Sequence, residues 1–342
     1  MAKIEKKKLT YQISTGLRGY LQKYGREMPI PVRYDDLLRY QDAITHFDKH
    51  GSDTLWISLI YQQSDLVPIH ESLKKIYALL RTHGDLSVMK HLYIDRIDLC
   101  LYGNTQPFRV RIVNKINDNF DYFYIKHADA SRIYGLELEH LLSPNRISYV
   151  VDDHTLIEEH IAGIPGKEFF LNYLDPGQVE NEIRLAKEFV KFNERCFVRL
   201  LGDMHSSNYV VDITPDFEDI HYRIRAIDFD QQSYEPRKSV YMPQYFKQNQ
   251  PIIELGMKYM DPTTVRQYQK EERVMISGRI RYSGNQILDL LQVMVKDSLS
   301  KEAHVYQLRE ELALHYKNDN FLRCNTMGEI VRQSLEILLE KN

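Results

Sequence analysis

The chain has 342 residues, of which 43% are hydrophobic and 27% charged, as is ordinary for a folded globular protein. Its formal net charge of −3 lacks the basic excess that nucleic-acid binding requires. The run Lys6-Lys7-Lys8 is not followed by the apolar segment of a signal peptide, and no stretch approaches the ~20 apolar residues of a membrane helix. We therefore expect a cytoplasmic protein with no nucleic-acid and no membrane partner.

Residues 1–89 are interpreted as an N-terminal extension. Apolar spacing predicts a helix over 34–50 that Gly51 closes, a strand over 54–61 and a helix over 69–81. No Ser/Gly/Pro-rich linker separates this segment from the next, so we expect it to cap the following domain. A partner-binding module is the alternative.

Residues 90–161 have the pattern of a sheet with one helix. Alternating segments predict a meander of strands over 90–101, 108–113 and 122–126, with turns at Gly103-Asn104-Thr105 and 117–119. A helix over 130–142 follows and stops at Ser143-Pro144. Two further strands are predicted over 146–151 and 154–160.

The next part, residues 162–342, begins with a predicted strand over 196–201. A polar loop then separates it from a hairpin with strands over 209–213 and 221–227. Helices are predicted over 262–276, 285–298, 302–317 and 326–340. The hairpin should bring Asp228, at the end of its second strand, beside Asn208, at the start of its first.

This loop has the residue types of a phosphate-transfer centre. Phosphoryl transfer needs a carboxylate that orients and deprotonates the attacking hydroxyl, and oxygen ligands for the magnesium ions on the nucleotide phosphates. Asp203 and Asn208 stand five residues apart, the separation of base and metal ligand in a kinase catalytic loop. Asp228 follows an apolar strand, as a metal-binding aspartate should.

Two motifs resemble the aminoglycoside phosphotransferase and choline kinase group of the protein-kinase-like superfamily, whose members carry His-Gly-Asp-x-His-x-x-Asn and Ile-Asp-x-x-Asp. Here they read Leu201-Gly202-Asp203-Met204-His205-Ser206-Ser207-Asn208 and Ile227-Asp228-Phe229-Asp230. The resemblance implies Asp203 as catalytic base, Asn208 and Asp228 as magnesium ligands, and Asp230 as a helper near the metals. Leu201 replaces the leading His, and Asp230 follows Asp228 by two positions instead of three.

The same resemblance assigns nucleotide-binding roles upstream. Lys126, near the end of the third meander strand, stands where kinases place the lysine that contacts the phosphates. Glu137 shares a helix face with apolar residues and is the candidate partner of that lysine. Glu159 and Ile161 fall in a hinge that passes the adenine. Gly103, Asn104 and Thr105 form the turn over the phosphates, without the glycine-rich pattern of protein kinases.

The sequence therefore predicts an α+β, two-lobed protein-kinase-like fold. Its parts are an extension (1–89), a small nucleotide-binding lobe with an antiparallel sheet and a helix (90–161), and a mainly helical catalytic and acceptor-binding lobe (162–342). We expect a phosphotransferase that uses ATP and magnesium on a small-molecule hydroxyl. The alternatives are an atypical protein serine/threonine kinase with a protein acceptor, a nucleotidyl-transferring relative, and a non-catalytic nucleotide-binding protein.

Overall fold

The computed structural model describes residues 8–48, 51–82, 86–174, 181–217 and 219–340. The chain forms two compact units. Unit 1 comprises residues 1–129 and 147–160, and unit 2 comprises residues 130–146 and 161–342. Both helices and strands are present, which confirms the α+β class.

Unit 1 is built on an antiparallel sheet that has seven strands within the described residues, in the order β1-β2-β3-β4-β5-β7-β6. Its strands are β1 (Asp42–Phe47), β2 (Asp53–Ile60), β3 (Leu92–Cys100), β4 (Phe108–Asn114), β5 (Phe120–His127), β6 (Tyr149–Asp152) and β7 (Thr155–Glu159). Its helices are α1 (Thr15–Lys23), α2 (Tyr34–Leu37) and α3 (Gln63–Thr82).

One face of this sheet forms the core of unit 1. Alternate residues of β4, Phe108, Val110 and Ile112, are buried there, as the two-residue period of a strand requires. Leu73 and Ile76 of α3 belong to the same cluster. The meander and the strand pair after it were predicted from this alternation, and the prediction is confirmed.

The helix predicted over 34–50 is wrong. This segment forms the short helix α2 and the strand β1, which pairs with β2 in a hairpin. Gly51, expected to end a helix, lies in the hairpin turn with φ 75°, a value that an L residue rarely adopts. Glycine at positive φ is common both at helix ends and in hairpin turns. Gly51 therefore does mark a chain reversal, but the element before it is a strand and not a helix.

Unit 2 is mainly helical. Its helices are α4 (Ala130–Leu142), α5 (Gly166–Asn172), α6 (Glu182–Arg199), α7 (Gln250–Tyr259), α8 (Pro262–Ser283), α9 (Asn285–Met294), α10 (Glu302–Tyr316) and α11 (Met327–Glu340). The strands β8 (Ile164–Pro165), β9 (Tyr209–Asp216) and β10 (Asp219–Ala226) form a small antiparallel sheet in the order β10-β9-β8. The β9–β10 hairpin and the four C-terminal helices match the prediction.

The strand predicted over 196–201 is also wrong, because these residues end helix α6 and enter the loop after it. Buried residues recur along α6 at Leu185, Phe189, Phe192 and Cys196, the spacing of one helix face. A short apolar run does not by itself distinguish a strand from a buried helix end. The helix stops at Leu200, whose φ of 57° is left-handed.

A buried ion pair joins α4 to α6. The carboxylate of Glu139 contacts the guanidinium of Arg199, and both side chains are almost fully buried. Ser143 Oγ and Asn145 Nδ2 also donate to Glu139 Oε1, at 2.6 and 2.9 Å. Burial raises the pKa of Glu139, but Arg199 and the two hydrogen bonds outweigh it and hold that pKa below its ordinary value.

Arg199→Met should destabilise the protein by about 3–5 kcal/mol, because it leaves the Glu139 carboxylate buried without its counter-charge. Urea unfolding followed by circular dichroism measures the change. Arg332→Met is the matched control, since Arg332 and Glu336 form an exposed pair in α11 of the same unit and such pairs contribute less than about 1 kcal/mol. Equal effects of the two substitutions would contradict a structural role for the buried pair.

Candidate active site

The loop between α6 and β9 carries the predicted catalytic residues and has a tightly constrained backbone. Gly202 N donates to Gln231 O (3.1 Å), and Ser233 N donates to Leu200 O (2.8 Å). A Cβ on Gly202 would lie 3.0 Å from Gln231 O and 3.2 Å from Val240 Cγ1, so a larger residue here would crowd both neighbours. Leu201, in the position where the resembling family has His, is fully buried, so its side chain contributes packing, and its backbone N donates to Cys196 O at 2.9 Å.

A hydrogen bond joins the side chain of Asn208 to the backbone of Asp203 across this loop. Asp203 has φ 61°, and its backbone N donates to Val240 O at 3.0 Å. Asn208 Nδ2 donates to Asp203 O at 2.9 Å, and Asn208 O accepts from Ile227 N at 3.0 Å. A non-glycine residue at positive φ is uncommon and persists only where its surroundings impose it. The loop and the hairpin therefore fix the backbone from which the Asp203 carboxylate projects.

The environment of Asp203 raises its pKa to about 7. Burial is the largest cause, and the negative charges of Asp228 and Glu235 add to it. A carboxylate with a pKa near neutrality accepts a proton more readily at that pH than an ordinary aspartate does. Shifts of this kind are concentrated at functional sites, although structural charge networks also produce them.

Asp228 and Asp230 lie after β10 and share one cation. Arg132 Nη1, from α4, lies 2.8 Å from Asp228 Oδ1 and 2.7 Å from Asp230 Oδ1. The Arg132 side chain is 2% exposed, that of Asp230 13% and that of Asp228 36%. Sequence reasoning missed Arg132, because nothing in the helix pattern marks one arginine as buried.

This arrangement does not fit magnesium at the Asp228–Asp230 pair. Mg²⁺ requires close octahedral coordination by oxygen atoms at about 2.0–2.1 Å. Here Oδ1 of each aspartate accepts a hydrogen bond from the guanidinium of Arg132, which is itself a cation. Among the described residues, no group of three or more His, Cys, Asp or Glu side chains is placed to hold a metal ion.

The buried side-chain amide of Asn249 also supports this loop through hydrogen bonds. Asn249 Nδ2 donates to Met204 O (3.0 Å) and to Pro243 O (2.7 Å), and Asn249 Oδ1 accepts from Tyr209 Oη (2.9 Å). No sequence pattern indicates this role, since Asn249 lies in an irregular segment with no motif.

In unit 1, Lys126 lies on β5 and is paired with a carboxylate of the adjacent strand. Lys126 Nζ donates to Glu158 Oε2 of β7 at 2.9 Å, and both side chains are buried. Sequence reasoning expected a partner from the helix after β5 and did not consider Glu158. Leu156 is the residue opposite Lys126 in the register, so Glu158 reaches it diagonally. The predicted partner Glu137 is buried in unit 2, where Gln286 Nε2 approaches Glu137 Oε2 at 3.5 Å.

The other predicted nucleotide-binding residues occupy a turn and a connection. Gly103, Asn104 and Thr105 form the turn between β3 and β4, where Gly103 O accepts from Gln106 N at 3.1 Å. Glu159 Oε1 accepts from Ser148 N, and Glu159 Oε2 accepts from Arg81 Nη1. Ile161 is buried at the start of the second part of unit 2. Their nucleotide-binding roles stay predictions.

No protein-family model matches the chain, and no curated protein matches it. Among solved structures, it is similar to titin kinase with its flanking domains, at 14% identity over 72% of this chain and a TM-score of 0.29. It is also similar to the autoinhibited serine kinase domain of titin, with 13% identity, 72% of this chain and 92% of that chain covered, and a TM-score of 0.27. A third is the PAN3 pseudokinase of Neurospora crassa, with 10% identity, 79% and 69% of the two chains covered, and a TM-score of 0.20.

The chain spans 54% of the length of the first of these structures. All three are kinases or a pseudokinase by their names, and at such scores the similarity defines neither a family nor an activity. The assignment to the aminoglycoside phosphotransferase and choline kinase group stays a prediction from the motifs.

Asn249→Ala should destabilise the protein by about 2 kcal/mol or more, because it leaves Met204 O, Pro243 O and Tyr209 Oη without a buried partner. Gln250→Ala is the matched control, since the neighbouring Gln250 side chain is exposed and donates to the exposed Glu254 Oε1 at 2.9 Å. Thermal unfolding of both variants tests this. Equal melting temperatures for the two would show that the amide network does not support the loop.

Proposed function

We propose that the chain is an ATP-dependent phosphotransferase that acts on the hydroxyl group of a small molecule. The observation that carries the proposal is the Asp203–Asn208 loop. It presents the half-buried carboxylate of Asp203, whose pKa is raised to about 7. Asn208 Nδ2 donates to the backbone O of Asp203 at 2.9 Å and so fixes the backbone that carries this carboxylate. Such a carboxylate suits the proton acceptor in phosphoryl transfer.

In the proposed reaction, the acceptor hydroxyl oxygen forms a bond to the γ-phosphorus of ATP. The bond from that phosphorus to the bridging oxygen breaks, and ADP leaves with the electron pair. The hydroxyl proton passes to the Asp203 carboxylate. Lys126 is the candidate for contact with the nucleotide phosphates, with Glu158 fixing its orientation. No step is assigned to a metal ion at Asp228 and Asp230.

The small-molecule acceptor is proposed from the loop motif and from an absence in the sequence. No Ala-Pro-Glu element follows Asp230, whereas protein kinases carry one beyond the metal-binding aspartate. A protein acceptor and nucleotidyl transfer remain the alternatives. Transfer of label from γ-labelled ATP to a small molecule supports the proposal. Label on protein, or label transferred from the α-phosphate, supports the respective alternative.

A second candidate function is nucleotide binding without turnover. The ion pairs of Arg132 to Asp228 and Asp230 favour it, because they occupy the carboxylates that a kinase uses for magnesium. A chain of this kind would bind ATP and ADP and leave both unchanged in the presence of any acceptor.

Both candidates predict that millimolar ATP or ADP raises the melting temperature, because a ligand that binds the folded state stabilises it by mass action. Lys126→Met should abolish the shift, and Lys126→Met/Glu158→Gln should do so without leaving an unpaired buried carboxylate. Lys115→Met is the control, since Lys115 lies exposed in the β4–β5 turn of the same unit. A wild-type chain that shows no shift with either nucleotide would refute both candidates.

Asp203→Asn separates the two candidates. The amide keeps the shape of the side chain but does not take up the proton, so phosphotransfer should fall by about 10²–10⁴ while the nucleotide-induced thermal shift persists. Asp216→Asn, which changes an exposed carboxylate of β9, is the control and should keep full activity. Activity is measured as ADP formation and product mass with a panel of hydroxylated metabolites and aminoglycosides. Turnover in Asp203→Asn within about threefold of wild type would remove Asp203 from the base role.

A further inference from the structure

The guanidinium of Arg132 occupies the position of a cation between two carboxylates. Nη1 lies 2.8 Å from Asp228 Oδ1 and 2.7 Å from Asp230 Oδ1. Asp230 N also donates to Asp228 Oδ1, at 3.1 Å, so the two aspartates form one compact acidic group. The arginine is a permanent charge, because its guanidinium stays protonated at any pH a protein experiences.

The arginine is held in place by the packing of α4 on residues 229–232. The Ser131 hydroxyl donates to Gln232 O at 2.6 Å. A Cβ on Gly135 would lie 3.0 Å from Phe229 Cβ and 3.2 Å from Gln232 Cβ, so the helix packs closely on this segment. Tyr134 Oη donates to Asp297 Oδ2 at 2.7 Å. The helix that carries Arg132 is therefore fixed on both sides of it.

A divalent ion would have to displace this guanidinium or share its carboxylates. Displacement would leave a buried arginine without counter-charge, which is strongly unfavourable. Sharing would place two cations against the same pair of carboxylates, where Coulomb repulsion is strong at partly buried positions. Both routes oppose metal binding at these two residues.

We propose that Arg132 is the resident cation of the Asp228–Asp230 pair and that this pair therefore does not bind a divalent metal ion. Arg132 acts as a positioning residue that fixes the two carboxylates and neutralises part of their charge. The inference goes beyond phosphotransfer, because it concerns the metal alone and holds whether or not the chain turns over ATP.

Mn²⁺ titration of the full chain, stripped with EDTA and free of nucleotide, tests the proposal. The electron paramagnetic resonance signal of free Mn²⁺ loses intensity on binding and so counts occupied sites. We expect that the wild type and Asp228→Asn bind the same number of Mn²⁺ ions. Arg132→Gln should gain at least tenfold in Mn²⁺ affinity, and Arg132→Gln/Asp230→Asn should lose that gain. Arg132→Lys, which keeps a positive charge, should resemble the wild type.

The proposal is overturned if the wild type holds one Mn²⁺ that Asp228→Asn releases, or if a folded Arg132→Gln binds Mn²⁺ no better than the wild type. Thermal unfolding establishes whether each variant is folded. Should Arg132→Gln lack an unfolding transition, the wild-type and Asp228→Asn titrations decide by themselves. Because no nucleotide is present, failure here is distinguishable from failure of the proposed phosphotransferase activity.

Discussion

The structure of unit 2 depends on buried guanidinium groups that each require a carboxylate. Arg132 and Arg199 are almost fully buried. Arg132 lies on α4, and Arg199, at the end of α6, contacts Glu139 of α4. A buried arginine neither loses its proton nor tolerates the absence of a counter-charge, so its partners have little freedom of position. Arg199 joins the end of α6 to Glu139, and the loop that carries Asp203 begins directly after that end. Arg132 ties the residues after β10 to the same helix. The loop and the acidic pair are thus fixed by two ion pairs that share α4.

The sequence was sufficient for much of the fold. The meander β3–β5, helix α4, the β9–β10 hairpin and the C-terminal helices follow from periodicity and turn residues, which are local signals. The two errors occurred where local signals are ambiguous. Gly51 lies in a hairpin turn where a helix end was predicted, and the apolar run after Arg195 ends a helix where a strand was predicted. Pairing with the neighbouring strand β2 decides the first structure, and packing of a buried helix face decides the second; apolar spacing in a single sequence displays neither.

The candidate site also contains some residues that local sequence patterns predict and others that they do not. Asp203, Asn208 and Asp228 are predicted from the sequence because their spacing is a local pattern, and their roles stay predictions. The residues that orient them, Arg132 and Asn249, were missed because their partners are distant in the chain. Glu158 was missed for a related reason: it stands on a neighbouring strand, whereas the resemblance directed attention to a helix. Residues that belong to a local motif can be predicted from one sequence more readily than the distant residues that position them.

The resemblance of the motifs to kinases predicts that Lys126 pairs with a glutamate of the following helix, and the structure shows a different pairing. Here Lys126 pairs with Glu158 inside its own sheet, and the helix that follows supplies an arginine to Asp228 and Asp230. Within unit 2, α4 is fixed by Ser131, Arg132 and Gly135. A shift of this helix would separate the buried Arg132 guanidinium from its two carboxylates, which is strongly unfavourable, so α4 is held firmly against the segment after β10.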